Sequence, residues 1–352
     1  MTLRWIRFLT PLAVMALVAA ACGGDDADST TTTTADGGTG GASGRIVISG
    51  SSTVEPITAR VAQGFGTINP GITISVDGPG TSDGFVLFCN GETDISDASR
   101  AIRESEVETC QGNGIDPIEI KVAIDGLSVL TNAGNDAVSC LDYGDIYALL
   151  GAESTGFNNW SDANDLASEV ASAGLGAGHA PYPDAPLDVT APGEESGTFD
   201  SFVEIVLTGL AEDLRGEDAD ENPRPDYVAS ANDNVIIDGI SNNPASLGWV
   251  GYAFYVGNAE TVKAIEIDGG EGCVAPTPET ISSGEYPISR PLFIYVDKNR
   301  LDAKPELVDF VDYYLSGEGL AWVADAGYVD LDPAEIEMWR ANWEARNVGK
   351  VD

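Results

Sequence analysis

Arg45-Ile46-Val47-Ile48-Ser49-Gly50-Ser51-Ser52-Thr53-Val54-Glu55-Pro56 is the stretch that sets the fold. A short β-rich run stops at a glycine and a hydroxyl cluster, and apolar Val54, Ile57, Val61 and Phe65 then recur at helical spacing. The same order returns downstream. Residues 72–76 read as a strand, Gly78-Pro79-Gly80-Thr81-Ser82-Asp83-Gly84 as its turn, and Phe85-Val86-Leu87-Phe88 as the opening of a second helix. A short strand end at 93–96, a helix over 104–111, and two strands at 118–124 and 127–131 continue the pattern. Strands alternating with helices predict parallel βαβ units and the α/β class.

The middle of the chain differs in charge, with no Lys or Arg between Lys121 and Arg215. It predicts a helix near 143–150, Trp160 in a polar loop, a Gly/Ala/Pro-rich loop at 173–186, a strand at 187–189 and a helix over 199–207. A strand at 292–296 and helices around 304–315 and 333–346 complete the chain. The composition step divides it into one lobe of 45–126 and 252–352 and a second of 127–251, with crossovers near 124–132 and 246–256.

Composition narrows the function. The chain has 352 residues, a formal net charge of −40, 43% hydrophobic and 21% charged residues, enough apolar material for two ordinary domains. Phosphate-backbone binding needs a basic face, so nucleic acid is excluded as the main partner. A single histidine, His179, excludes His-cluster metal sites, and no phosphate loop or Cys-x-x-Cys pair is present, so neither a metal nor another cofactor is expected.

The N-terminus reads as an export signal. Arg4 and Arg7 precede an apolar run that ends before Cys22, too short for a spanning helix, so residues 1–21 are expected to be removed. Val18-Ala19-Ala20-Ala21-Cys22 resembles a bacterial lipobox, which implies lipidation of Cys22 and anchorage at the cell membrane. Residues 22–44, rich in Gly, Asp, Ser and Thr, are expected to form the tether. Four cysteines remain, an even number in an exported chain. They allow three pairings, of which Cys89–Cys110 and Cys140–Cys273 are the favoured set.

Three Gly/Ser/Thr clusters stand between a strand and a helix: 50–53, 80–84 and 196–198. Unpaired N–H groups and the positive end of the dipole make a helix start an anion site, and hydroxyls add donors. Each cluster alone can be a plain N-cap. Three of them, on βα turns of two lobes, converge if the strand ends face one cleft.

Ser49 to Pro56, Gly80-Thr81-Ser82-Asp83-Gly84-Phe85, Phe88-Cys89-Asn90-Gly91-Glu92-Thr93-Asp94-Ile95, Ala98-Ser99-Arg100 and Ser196-Gly197-Thr198-Phe199-Asp200 together resemble the phosphate-binding proteins of Pst-type ABC importers. The resemblance runs in order over roughly 45–345. It implies the two-lobed periplasmic-binding-protein fold (type II), each lobe a mixed, mostly parallel sheet flanked by helices. It also implies that phosphate is captured between the lobes and passed to the permease and ATPase subunits of an importer, with no catalysis. Carried over by motif, phosphate would meet Ser52, Thr53, the Val54 backbone, Thr81, Ser82, Ser99, Ser196, Gly197 and Thr198. Two positions depart from the family pattern. Ala191-Pro192-Gly193-Glu194-Glu195 stands where an Arg is usual, and Arg100 stands where an Asp is usual. Arg100 is therefore the expected cation. Protonated phosphate needs an acceptor that sulfate does not, and Glu195 is the first candidate, ahead of Asp97 and Asp125. The alternatives are another oxyanion, sulfate or molybdate, or a secreted serine hydrolase in which Gly80-Thr81-Ser82-Asp83-Gly84 is a nucleophile elbow served by His179.

Overall fold

A computed structural model describes residues 43–194 and 196–351. Signal, lipidation and tether expectations for 1–42 lie outside the described residues, as does Glu195. No helix among the described residues is long and apolar enough to cross a membrane.

The first half follows the predicted alternation: β1 (Gly44–Gly50), α1 (Glu55–Ile68), β2 (Ile72–Asp77), α2 (Thr81–Cys89), β3 (Ile95–Ala98) and α3 (Glu104–Gly112). Ile57, Val61 and Phe65 form the buried face of α1. Helix α2 begins at Thr81 rather than Phe85, because Gly80, at φ 112°, breaks the chain one residue earlier and the polar Thr81-Ser82-Asp83 becomes the first turn. Close approach fixes the glycines here. A Cβ on Gly50 would sit 2.0 Å from Asp97 O, and one on Gly84 would sit 2.4 Å from Gly50 Cα.

β4 (Pro117–Asn132) is one continuous, almost wholly buried strand where the sequence suggests two. Asp125 and Gly126, which interrupt the apolar run, do not break it, since Asp125 stands opposite Arg290 across the ladder. Next come β5 (Cys140–Asp142), α4 (Tyr143–Leu150), α5 (Asn164–Ser172), β6 (Thr190–Ala191), α6 (Gly197–Phe202), a π-helical turn (Val203–Leu207), α7 (Thr208–Arg215) and β7 (Val228–Ala229). The chain continues through α8 (Asp233–Asn242), β8 (Gly248–Gly251), α9 (Tyr252–Val256), β9 (Val262–Ala264), β10 (Glu266–Asp268), β11 (Cys273–Val274) and α10 (Pro278–Ser282). It ends with β12 (Ser289–Asp297), α11 (Pro305–Tyr314), α12 (Gly317–Asp325) and α13 (Pro333–Glu344).

The main sheet has the order β2-β1-β3-β12-β4-β8, with β9 also on β4. Its parallel pairs are β1 with β2 and β1 with β3, whereas β12 and β8 run antiparallel to their neighbours. β4 serves two neighbourhoods. Residues 117–126 pair with β12, and 127–132 pair with β8 and β9. β10 joins β5 in a small separate sheet. Because β9 and β10 pair with strands of the second lobe, we propose that this lobe runs over 127–288, not 127–251.

Trp160, expected in a polar loop, opens a short 3-10 turn (Trp160–Ala163). It is fully buried and donates Nε1–H to Ala245 O at 2.7 Å, which satisfies its one polar atom. Helix α12 escapes the sequence reading because Gly317 and Gly319 open it; a Cβ on Gly319 would sit 2.1 Å from Tyr313 O. Both favoured disulfides, Cys89–Cys110 and Cys140–Cys273, are present.

Asp94 ties the first lobe together. Fully buried, it accepts from the Val47 N–H at 2.9 Å and from Lys304 Nζ at 2.7 Å, and pairs with Arg300 at 2.5 Å. Burial opposes its charge, but the hydrogen bonds of Lys304, Arg300 and Val47 outweigh burial and hold the carboxyl below its ordinary value of 3.8. Removing one partner of a buried pair costs about 3–5 kcal/mol. Asp94→Asn should lose stability of that order at neutral pH in a urea titration. An acid whose folded value is depressed contributes stability above its unfolded value, and loses it as pH falls through the folded one. The gap between wild type and Asp94→Asn should therefore close below about pH 4. A gap that stays constant down to pH 2 would remove the charge from this account.

Candidate anion-binding cleft

Two of the three hydroxyl-bearing helix starts meet. In the β1–α1 turn Ser51 Oγ accepts the Thr53 N–H at 3.2 Å, and at the start of α6 Ser196 Oγ accepts the Thr198 N–H at 3.3 Å. Between them Ser52 Oγ donates to Asp200 Oδ2 at 2.6 Å, and Thr53 Oγ1 lies 3.2 Å from Ser201 Oγ. Gly197 permits this contact, since a Cβ there would sit 3.2 Å from Ser52 O and 3.4 Å from Thr53 Cα. The third start, at α2, binds locally instead. Thr81 Oγ1 accepts the Ser99 N–H at 3.1 Å and shares a bond with Ser99 Oγ at 2.9 Å.

The cation at the meeting point is Arg290, near the start of β12. Its Nη2 donates to Thr53 Oγ1 at 3.0 Å and to Ser201 Oγ at 2.7 Å, its Nη1 pairs with Glu204, and its Nε lies 3.5 Å from Asp125 Oδ2. One guanidinium thus touches elements from both sides of the cleft. Asp125 is only 3% exposed, and its Oδ2 accepts no hydrogen bond. Burial pushes its carboxyl above the ordinary value, against the pull of Arg290 and a hydrogen bond from Ser201.

Two cavities flank this contact. One, of about 580 Å³, is lined by Thr81, Ser82, Ser99, Arg100, Arg103 and Arg290 among others. The second, of about 350 Å³, includes Asp125, Thr198, Asp233 and Tyr328.

Arg100 reaches the larger cavity, but its guanidinium is held by both oxygens of Glu106, at 2.9 and 2.7 Å, and donates to Ser82 Oγ at 3.2 Å. Its charge is matched within its own lobe. Asp97 lies behind α1, accepting from Thr58 Oγ1 at 3.0 Å, and its carboxyl is pushed up to about 8 by burial, against the Thr58 bond and with the Glu55 charge adding. The Val54 N–H donates back to Ser51 O at 3.2 Å, as a helix entry does. Sequence reasoning missed Arg290, Ser201 and Asp200. Asp200 and Ser201 follow the third cluster at helical spacing, which was a readable signal; Arg290 became visible only with the strand register.

The elbow reading finds no support in the contacts. Ser82 Oγ accepts from Arg100, while the His179 ring lies between Asp145, at 2.6 Å, and Cys273 Sγ, at 3.9 Å. The structure does not bring the serine and the histidine of that mechanism into contact.

A profile of the PBP superfamily domain matches residues 29–318. Protein SphX of Synechocystis is 35% identical over 309 residues, covering 87% of this chain and 84% of that protein. The phosphate-binding protein PstS of Staphylococcus haemolyticus is 32% identical over 281 residues, covering 80% and 79%. Among solved structures, a possible phosphate-binding protein from Planctomyces limnophilus superposes with a TM-score of 0.74 at 34% identity, covering 86% of this chain and 98% of that one.

The Arg290–Asp125 pair yields a stability test. Arg290→Met leaves a buried carboxylate without its counter-charge and should cost about 3–5 kcal/mol. Adding Asp125→Asn to that variant should restore most of it, because the uncompensated charge is then gone. Denaturant midpoints at pH 7 measure both. Equal stability of Arg290→Met and wild type would show that the pair is not coupled.

Proposed function

We propose that this chain, which belongs to the PBP superfamily and within it to the family of the phosphate-binding protein PstS and protein SphX, captures inorganic phosphate between its two lobes and delivers it to an ABC importer. The observation that carries the ligand is the combination at the meeting point. Arg290 donates to the hydroxyls of Thr53 and Ser201 at one spot, and beside them lies a buried oxygen of Asp125 that accepts no hydrogen bond and faces the Arg290 Nε at 3.5 Å. Donors alone suit any oxyanion. An acceptor among them suits one that still carries a proton, as phosphate does at neutral pH and sulfate does not.

In this reading Arg290 takes the charge-pairing role that the sequence assigned to Arg100, and Asp125 takes the acceptor role first assigned to Glu195. Ser52, Thr53, Ser196, Gly197 and Thr198 supply the hydroxyls and N–H groups of the two facing helix starts. Thr81, Ser82, Ser99 and Arg100 line the larger cavity and hold the anion from the α2 side. The protein transforms nothing; it binds and releases. It works outside the cytoplasm, and the lipid on Cys22 would keep it beside the permease.

Titration calorimetry with phosphate, sulfate and molybdate is the direct test, and phosphate should bind most tightly. Arg290→Ala should cost more than Thr53→Ala, which should cost about 1.5–3 kcal/mol, the range for a hydrogen bond to a charged group. Arg290→Lys should recover only part, because an ammonium lacks the planar fork. Asp125→Asn should weaken phosphate binding and admit sulfate, narrowing the preference between them. Wild-type affinity in Arg290→Ala would return the charge role to Arg100, and sulfate binding as tight as phosphate in the wild type would sink the acceptor argument.

A further inference from the structure

The small sheet carries a group for which phosphate binding has no use. Cys140 on β5 and Cys273 on β11 both pair with β10, opposite Glu266 and Asp268, and are joined by the disulfide. His179, from the 173–186 loop, places Nε2 3.9 Å from Cys273 Sγ. Its Nδ1 lies 2.6 Å from Oδ2 of Asp145, a fully buried carboxylate in the first turn of α4. Asp145 is itself fixed, by the Asp142 N–H at 2.9 Å and the Tyr182 hydroxyl at 2.7 Å. A proton held on Nδ1 by that carboxylate would leave Nε2, on the side of the sulfur, as the ring's acceptor.

The two sulfurs and Nε2 all lie within 4.8 Å of one another. Neighbouring Asp142 is a different case. Its oxygens already accept the N–H groups of Asp145, Ala177 and Gly178, which makes it a structural cap.

We propose that the Cys140–Cys273 disulfide is the oxidised form of a zinc site, and that the reduced protein binds one Zn²⁺ through both thiolates and His179 Nε2, with water in the fourth position. Zn–S bonds of about 2.3 Å and a Zn–N bond of about 2.0 Å in a tetrahedron set donor atoms about 3.5–3.8 Å apart. The nitrogen–sulfur contact is already close to that spread, and the sulfurs reach it by parting without movement of the strands, whose Cα atoms stand 6.0 Å apart on a shared neighbour. Thiolates with imidazole select zinc over calcium or magnesium. A carboxylate behind the imidazole orients a zinc-bound histidine and raises its basicity. The other disulfide has no such company, because the chain has one histidine.

Opening the site needs a reductant, here a water-soluble phosphine. The phosphine takes the oxygen of water and becomes its oxide while the disulfide takes two electrons and two protons. Each thiol then releases its proton to solvent as its Zn–S bond forms. The full chain is reduced without oxygen, cleared of phosphine and titrated with Zn²⁺ against a chromophoric chelator, with Co²⁺ as the spectroscopic substitute. Reduced wild type should bind one Zn²⁺ more than Cys140→Ser/Cys273→Ser, and Co²⁺ should show thiolate charge-transfer bands that this double variant lacks. His179→Ala should weaken the site at least 10-fold, and Asp145→Asn 10- to 100-fold. The oxidised protein should bind none there. Equal zinc in the double serine variant, unchanged affinity in His179→Ala, or loss of the folded circular-dichroism spectrum on reduction would each overturn the proposal. Since the readout is metal, the outcome does not depend on the phosphate reading.

Discussion

Everything in the cleft depends on Arg290 being set against Asp125 across two antiparallel strands. A buried carboxylate needs a counter-charge, and a guanidinium with five donors needs more than one acceptor. Asp125 supplies the charge, Thr53 and Ser201 supply the acceptors, and Glu204 occupies the remaining arm. These four partners come from β4, the β1–α1 turn and the helical run that starts at Gly197. A slip of one residue between β12 and β4 would turn Arg290 to the other face of the sheet and dissolve the arrangement. The strand pairing is therefore a condition of the site as well as of the fold.

That dependence explains what the sequence could tell. The hydroxyl clusters at 50–53, 80–84 and 196–198 were legible because a helix start is a local event, written in consecutive residues. Helices α1, α3 and α4 were legible for the same reason. Arg290 was not, because its role is created by a partner far away in the chain. β4 reads as two strands in the sequence because a charge beside a glycine looks like a turn until its cross-strand partner is known. The burial of Trp160 was not legible, because its sequence neighbours are polar and its N–H is taken by Ala245, far away in the chain. Local chemistry could be read; chemistry that arises from pairing could not.

The net charge of −40 poses a physical difficulty for an anion receptor, and the answer is local. Long-range repulsion between solvent-exposed charges is screened within about 8–10 Å at physiological salt, whereas buried donors keep their strength. Arg290 is 12% exposed in its side chain, and the hydroxyls around it come from buried or half-buried turns. Arg100 and Arg103 add positive charge along the larger cavity, though Glu106 balances Arg100. In the proposed site, binding would be decided by a few donors at contact distance, and the surface field would govern only the approach.

One further consequence follows from β4 and β12. Gly126 and Ser289, which bracket the proposed second lobe, are partners in the same ladder. Entry and exit stand side by side. Topologically the whole segment between them is an excursion from a single rung, so the first lobe would close behind it with a tight reversal. In such an architecture a change of length in the inserted segment need not disturb the register of the ladder it leaves and rejoins. Its loops and its small disulfide-bearing sheet lie away from the ladder that receives it, where Arg290 and Asp125 form the adjoining pair.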